Sequence, residues 1–406
     1  MQKSGYSDMP LHHGRVPPWL SERMAKLSGL IVESILNEYG REVYLSKLSD
    51  PLWFQSLGAV LGMDWHSSGI TTSVMGALKK SINSKSKSWG LHVCGGRGKH
   101  SRKTPNELLK YGDATGVDAH NLVRCSRLAA KVDNTAVQDG FQIYLHSFIV
   151  SDQGEWSIVQ QGMSDKLGQA RRYHWHSKNI ASFTEEPHQA VCGLNQGLIL
   201  NLVHNEATPT KQGILSLCKE KPLKIVQEVR KIHMPAHHDV RAKDVNLKRL
   251  GAVLSLAYDQ PIENFENLLL LEGVGPRTLQ SLTLVSEVIH GTASRFEDPA
   301  RFSFAHGGKD GHPFPVPLKV YDETIQILDR SVQKADLDHS EKKMALKSLH
   351  KIATRLEKGF IPDENKFDLL IERERAESKK YGGRTVFDDK PFRKKNKNKS
   401  QLSLFE

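Results

Sequence analysis

Three things are scarce or missing in this sequence: paired cysteines, long apolar runs and a phosphate-loop signature. Its four cysteines, Cys94, Cys125, Cys192 and Cys218, lie far apart and form no CxxC pair. Neither a disulfide framework nor zinc-finger spacing of His and Cys is present, so reduced, buried thiols in a reducing cytoplasm are expected. No run of ~18 apolar residues occurs, which argues against a helical membrane span. The start, Met1-Gln2-Lys3-Ser4-Gly5-Tyr6, lacks the apolar core of a secretory signal. The glycine-rich loop from Gly95 to Lys103 lacks the GxxxxGK[ST] form, so no nucleotide cofactor is expected.

What is present is positive charge. Lys and Arg number 57 against 46 Asp and Glu, a net +11. A chain this basic attracts polyanions, which in a cytoplasm are mainly nucleic acids, DNA or RNA. Its 406 residues suffice for two or three domains with cores of their own.

An irregular arm ending at Pro17-Pro18 precedes a helix capped by Ser21 and running from Glu22 to Tyr39, with Leu27, Leu30, Ile31 and Ile35 at helical spacing. A second helix is expected over Thr71–Ile82, followed by a polar surface loop from Ser84 to Ser88. A short strand over Leu91–Cys94 leads into the basic loop carrying Arg97 and Lys99, and Thr104 or Asn106 caps a helix through Tyr111. The clearest hairpin runs from Phe141 to Val150, turns at Asp152-Gln153-Gly154, and returns over Trp156–Val159. Residues 215–240 are helical and basic, 242–292 read as helix, tight turn, helix, and 318–380 as charged helix. After Tyr381-Gly382-Gly383 apolar periodicity is lost and disorder is expected. The fold class is α+β: a mixed domain with a small antiparallel sheet over 1–205, an all-α domain over 206–380, and a basic tail over 381–406.

Within 262–290, Leu271-Glu272-Gly273-Val274-Gly275-Pro276-Arg277-Thr278 resembles the core of a helix-hairpin-helix motif. Gly273 and Gly275 permit a sharp reversal around Val274, and Pro276 suits the first turn of the next helix. Amides at that helix start, with Arg277 and Thr278 beside them, suit a DNA phosphate, a contact with little sequence information. An ordinary αα-hairpin with a glycine turn is the plainer alternative. Base-excision glycosylases with this motif usually carry a catalytic lysine on the second helix. The corresponding position looks like Arg277, with Asp298 and Asp310 as downstream carboxylates, which disfavours a lyase-type enzyme and leaves a monofunctional one open.

The terminal Gln401-Leu402-Ser403-Leu404-Phe405 resembles the bacterial sliding-clamp-binding motif. Leu404 and Phe405 suit an apolar pocket and the Gln401 amide its rim. Upstream, Lys390 to Ser400 holds six Lys or Arg and no acid, a segment able to brush DNA.

Several blocks, among them Met9 to Leu20, Leu61 to Thr72, Ala130 to Asp133, Gln138 to Gly140, Gln160 to Met163, Ala170 to Trp175 and Phe304 to Pro315, resemble the prokaryotic domain-of-unknown-function 763 family. The resemblance implies a prokaryotic source and no established reaction.

Asp133 and Asp139 precede a strand pair that carries His146 and ends at Gln160-Gln161. Asp64, His66, His174 and His176 are candidates to join them. Carboxylates near strand ends suit Mg²⁺ or Mn²⁺ beside a phosphodiester, so Asp133 and Asp139 are candidate metal ligands, with His146 and His174 as further catalytic candidates. The usual Glu-x-Lys strand ending of metal nucleases is absent, and a polar network bracing the sheet is the competing interpretation. Arg171 and Arg172 are candidates to grip phosphate, and Trp156, Tyr173 and Trp175 to stack on a base. Arg97, Lys99 and, in the turn Gly307–Gly311, Lys309 are further DNA contacts. The composite expectation is a cytoplasmic, nucleoid-associated DNA-binding protein of replication or repair that is a metal-dependent nuclease. A non-catalytic adaptor recruited to the clamp and a glycosylase-like enzyme are the alternatives.

Overall fold

The computed structural model describes residues 9, 11, 16–63, 68–231, 247–260, 262–292, 294–300, 318–335 and 338–357. Strands β1 (Leu91–Arg97), β2 (Gln142–Ser151), β3 (Trp156–Ser164), β4 (Gln169–His176) and β5 (Ala190–Cys192) form one sheet in chain order, every neighbouring pair antiparallel. The fold is therefore mixed α+β with one small antiparallel sheet.

Both faces of the sheet are covered. Side chains alternate between faces along a strand, and here both sets are apolar: Phe148, Val150, Ile158, Tyr173 and Trp175 join one buried cluster, whereas Val93, Ile149 and Val159 join another. The first cluster is closed by α5 (Thr104–Thr115), α6 (Ala119–Lys131), α7 (Thr208–Cys218), α8 (Pro222–Lys231), α9 (Leu247–Asp259), α10 (Phe265–Leu270) and α11 (Pro276–His290). The second is closed by α1 (Pro18–Ser49), α2 (Pro51–Val60), α3 (Ser68–Ser84), α12 (Leu318–Lys334) and α13 (His339–Glu357). Each apolar core draws residues from both sides of position 205, so the expected domain boundary does not divide the cores.

Local chemistry explains where elements depart from expectation. The first helix starts at Pro18, not at a Ser21 cap; a proline at the first helical position forfeits no hydrogen bond. It continues past Tyr39 through a kink at Gly40, whose φ is 83°. Asp50 then caps α2, accepting from the amides of Leu52 (2.8 Å) and Trp53 (3.1 Å). The expected surface loop Ser84–Ser88 contains the short helix α4 (Ser86–Trp89), and β1 runs three residues past Cys94. Between α6 and β2 the chain makes one π-helical turn, Val132–Ala136, a geometry that frequently marks functional positions. Among the described residues no helix is long and apolar enough to cross a membrane.

Candidate nucleic-acid interface and polar networks of the sheet

The glycine bend lies between α10 and α11. Asn264 caps α10 through the amide of Asn267, and Phe265, Leu268 and Leu269 are buried in the same apolar cluster as Leu279, Leu282 and Val285 of α11. Gly273 adopts φ +81°, the left-handed region, and a Cβ there would stand 3.2 Å from Val253. Gly275 is the extended N-cap of α11 and Pro276 its first residue. Val274 and Thr278 are interior, with the Thr278 hydroxyl 3.4 Å from the Gly273 carbonyl, so they build the bend. Gly273 and Arg277 are exposed, as is Glu272 beside them. The bend is anchored from the sheet side. Lys131 Nζ, at the end of α6, donates to the Val274 carbonyl at 2.6 Å, and Gln138 Nε2 donates to the Pro276 carbonyl at 2.9 Å. Arg124 of α6 pairs with Glu266 of α10.

A second basic feature sits elsewhere. Arg97 ends the edge strand β1, and Lys99, His100, Arg102 and Lys103 are exposed on the 3-10 turn Gly98–Lys103. The Arg97 guanidinium lies over the Tyr144 ring at 5.8 Å. This turn packs on β1, β2 and α5, whereas the glycine bend packs on α6, α7 and the π turn. Lys309, Asp310, Asp64, His66 and the motif Gln401–Phe405 lie outside the described residues.

The sheet distributes the other polar candidates over two faces. Asp133, in the π turn, is fully buried. Its Oδ2 accepts from Gln160 Nε2 (2.5 Å) and Trp175 Nε1 (3.0 Å), and its Oδ1 meets His188 Nε2 at 2.5 Å. Burial pushes this carboxyl up against the opposing pull of His188. Gln160 also reaches His146 Nδ1 (2.8 Å), whose other nitrogen meets Ser126 Oγ (2.8 Å). Burial lowers His146 to about 4, so it is a neutral member of this network.

Asp139 belongs to a separate cluster. Its Oδ1 accepts from the Phe141 amide, and its Oδ2 from Tyr173 (2.5 Å) and Arg171 (2.9 Å). Arg171 is completely buried; it also makes two hydrogen bonds to Asp298 (2.9 and 2.6 Å) and one to the Leu194 carbonyl (2.6 Å). Burial opposes the charge of Arg171, but Asp139 and Asp298 together hold its affinity for a proton above the ordinary value. On the opposite face, Arg172 donates to His174 Nε2 (2.9 Å) and to Gln55 (3.1 Å), packed over the Phe54 ring. Burial, reinforced by Arg172, drives His174 well below the usual histidine range. Gln161 bonds Thr71, Tyr144 and the Ser68 carbonyl.

The structure thus joins Asp133 with His146 but places Asp139 in another cluster and His174 across the sheet. Each aspartate oxygen is engaged by protein donors, and among the described residues no group of three or more His, Cys, Asp or Glu side chains is arranged for a metal ion. The residues present therefore do not fit a Mg²⁺ or Mn²⁺ ion shared by Asp133 and Asp139. Arg171 and Arg172, expected as phosphate contacts, are enclosed: a guanidinium with no exposed surface offers nothing to a phosphate outside. Trp175 and Tyr173 are likewise core residues.

His188 was not legible, and Asp298 was expected only as a downstream carboxylate of a glycosylase-like site. His188 lies in the irregular stretch Thr184–Gln189, where no periodicity marks it, and only the fold brings it to Asp133. Asp298, far along the chain, closes the ion cluster on Arg171. Both line a cavity of about 290 Å³ together with Glu186, Asn201, His204 and Glu297. Glu186 carries the single positive non-glycine φ among the described residues, 46°.

No curated protein and no solved structure matches the chain. Residues 5–316, more than half of its length, match the family described as "Protein of unknown function (DUF763)". The chain belongs to that family.

Proposed function

We propose that this is a DNA-binding protein of replication or repair that grips the sugar-phosphate backbone with the bend between α10 and α11. The observation that carries this is the bend itself. Gly273 takes a left-handed conformation, Val274 is tucked inward, and the exposed Arg277 stands in the first turn of α11, whose positive dipole end favours a phosphate. The contacts from Lys131 and Gln138 fix the bend to the rest of the molecule, so a bound duplex would be held in register with the sheet. A net charge of +11 supplies long-range attraction. The tail residues Gln401, Leu402, Ser403, Leu404 and Phe405 would recruit a bacterial sliding clamp.

Gel-shift titration over a range of salt tests this. Arg277→Ala should weaken binding equally on unrelated sequences and lower the salt slope by about one. Altered discrimination between sequences would refute a backbone contact, and failure of the full chain to retain any duplex at low salt would refute DNA binding.

An enzymatic role is the second reading, favoured by the buried Asp133–His188 couple beside a cavity. With the Asp133 carboxylate accepting from Nε2–H, the His188 ring keeps its lone pair on Nδ1, the arrangement of an acid–base residue. Incubation with duplex, flapped and lesion-containing DNA, with and without Mn²⁺, separates the possibilities. Metal-dependent scission indicates a nuclease, metal-independent product from lesions alone a glycosylase-like enzyme, and binding without product an adaptor.

A further inference from the structure

The 3-10 turn Gly98–Lys103 and the strand end before it collect cations that the rest of the protein leaves unmatched. Residues 65–106 hold eight Lys or Arg and no acid. Arg97, Lys99, His100, Arg102 and Lys103 are all exposed, and none of them forms an ion pair among the described residues. Lys79, Lys85, Arg124, Lys178 and Arg295, by contrast, each meet a carboxylate. The acid nearest to the turn in the chain, Glu107, is engaged elsewhere, by Lys79 Nζ (2.7 Å) and the Gly95 amide (2.8 Å). Like charges crowded into seven residues repel one another in the free protein, a cost that a polyanion would relieve.

The turn is also built to hold its shape. A Cβ at Gly95 would stand 2.2 Å from the His146 carbonyl oxygen and 2.3 Å from Thr104 Oγ1, so the backbone is pressed onto β2 and the start of α5. The Gly95 carbonyl accepts from Lys79 Nζ (2.7 Å), Ser101 Oγ donates to the Gly98 carbonyl (2.6 Å), and Thr104 Oγ1 donates to the Ser101 carbonyl (2.8 Å). Cations presented on a fixed backbone lose less entropy on binding than those of a loose loop. Residues three apart in a 3-10 helix eclipse at a spacing of ~6 Å, which stacks Lys99 with Arg102 and His100 with Lys103. Two phosphate steps of one DNA strand advance ~7 Å along the axis, a comparable repeat.

The surroundings favour a nucleic-acid backbone over a membrane. Cationic membrane-surface elements carry apolar anchors beside the charge, and among the described residues no large hydrophobic side chain is exposed on β1, the turn or α5. The Tyr144 ring lies against the Arg97 guanidinium, so it is not a free platform for a base. We infer that Arg97 and the turn Gly98–Lys103 form a second sugar-phosphate contact, separate from the glycine bend and indifferent to base sequence. The inference rests on the reading above for its partner, a DNA duplex, and uses none of the bend's geometry.

The test compares two full-length triple variants that each remove three of the 11 net positive charges. One is Lys99→Gln, Arg102→Gln, Lys103→Gln; the other is Lys87→Gln, Lys166→Gln, Lys343→Gln, three exposed lysines on separate elements. Both should melt like wild type. In gel shifts the turn variant should lose at least about tenfold in duplex affinity and about two to three units of salt slope, on unrelated sequences alike, and the dispersed variant less than about threefold. In wild type, duplex should protect Lys99 and Lys103 from an amine-acylating reagent several-fold, read by mass spectrometry, and leave Lys87 and Lys166 reactive. Equal losses in the two triple variants overturn the inference, as does protection by inorganic phosphate, or by phosphatidylserine vesicles, that equals protection by duplex. If Arg277→Ala weakens binding while the turn variant matches the dispersed one, this contact alone fails; the reverse pattern removes the bend and keeps the turn. A full chain that retains no duplex at low salt refutes both.

Discussion

Replacing Arg171 with methionine removes the cation on which two carboxylates converge. The guanidinium and both partners are enclosed, with side-chain exposures of 0% for Arg171, 1% for Asp139 and 0% for Asp298. Removing one member of such a group leaves uncompensated buried charge, which typically costs ~3–5 kcal/mol. Asp139 keeps the Tyr173 hydroxyl and the Phe141 amide, and Asp298 keeps the amides of Gln196 (2.6 Å) and Ala300 (2.8 Å), so the lower half of that range is expected. A loss of ~3–4 kcal/mol is a large part of the ~5–15 kcal/mol by which domains are usually stable. Urea unfolding followed by tryptophan emission, with Trp156 and Trp175 on the sheet, reads it. Arg171→Lys should fall between, retaining charge without the planar fork. Adding Asp139→Asn and Asp298→Asn to Arg171→Met should recover part of the loss. Above all, duplex affinity of the folded variant should be unchanged. A variant within ~1 kcal/mol of wild type, or one that folds normally and loses DNA, would refute the assignment of Arg171 to the interior.

Gly273→Ala should distort the bend, since a side chain is rarely accommodated at φ +81° and its Cβ would press on Val253; ~1–2 kcal/mol of stability and a clear part of the DNA affinity should be lost together, by urea melts and gel shift. His146, held neutral down to about 4, makes stability fall as pH drops from its unfolded value near 6.5 towards 4, because in that window only the unfolded chain gains the proton. The raised carboxyls of Asp133 and Asp139 act in the opposite sense, so the measurement compares wild type with His146→Gln, in which ~2–3 kcal/mol of this acid sensitivity should vanish. Deleting residues 401–406 should abolish retention on an immobilised sliding clamp and leave duplex affinity almost intact; persistence of clamp retention would exclude Gln401–Phe405 as the anchor.

Much of the fold was legible because it is written in local chemistry. The hairpin Phe141–Val159 declares itself by β-branched and aromatic residues around Asp152-Gln153-Gly154, and it forms β2 and β3. The bend Gly273-Val274-Gly275-Pro276 declares itself by conformational permission, which is a property of the residues alone. Strand β4 was not legible. Gln-Ala-Arg-Arg-Tyr-His-Trp-His alternates only from Arg172 to His176, and its charged and imidazole side chains suggest a solvent face, whereas both of its faces are buried and several of these side chains are matched by partners from distant segments.

The sequence by itself determined the α+β composition, the hairpin, the glycine bend and the strong positive charge, all of which depend on neighbours within a few positions. Only the tertiary structure decided that the sheet would be covered on both faces by helices from both ends of the chain. It alone sent Arg171 to Asp298 and His188 to Asp133, and parted Asp133 from both Asp139 and His174. The reason is that a buried charge or imidazole is specified by whatever partner the packing delivers, and that partner stands up to 127 residues away, beyond the reach of any local pattern.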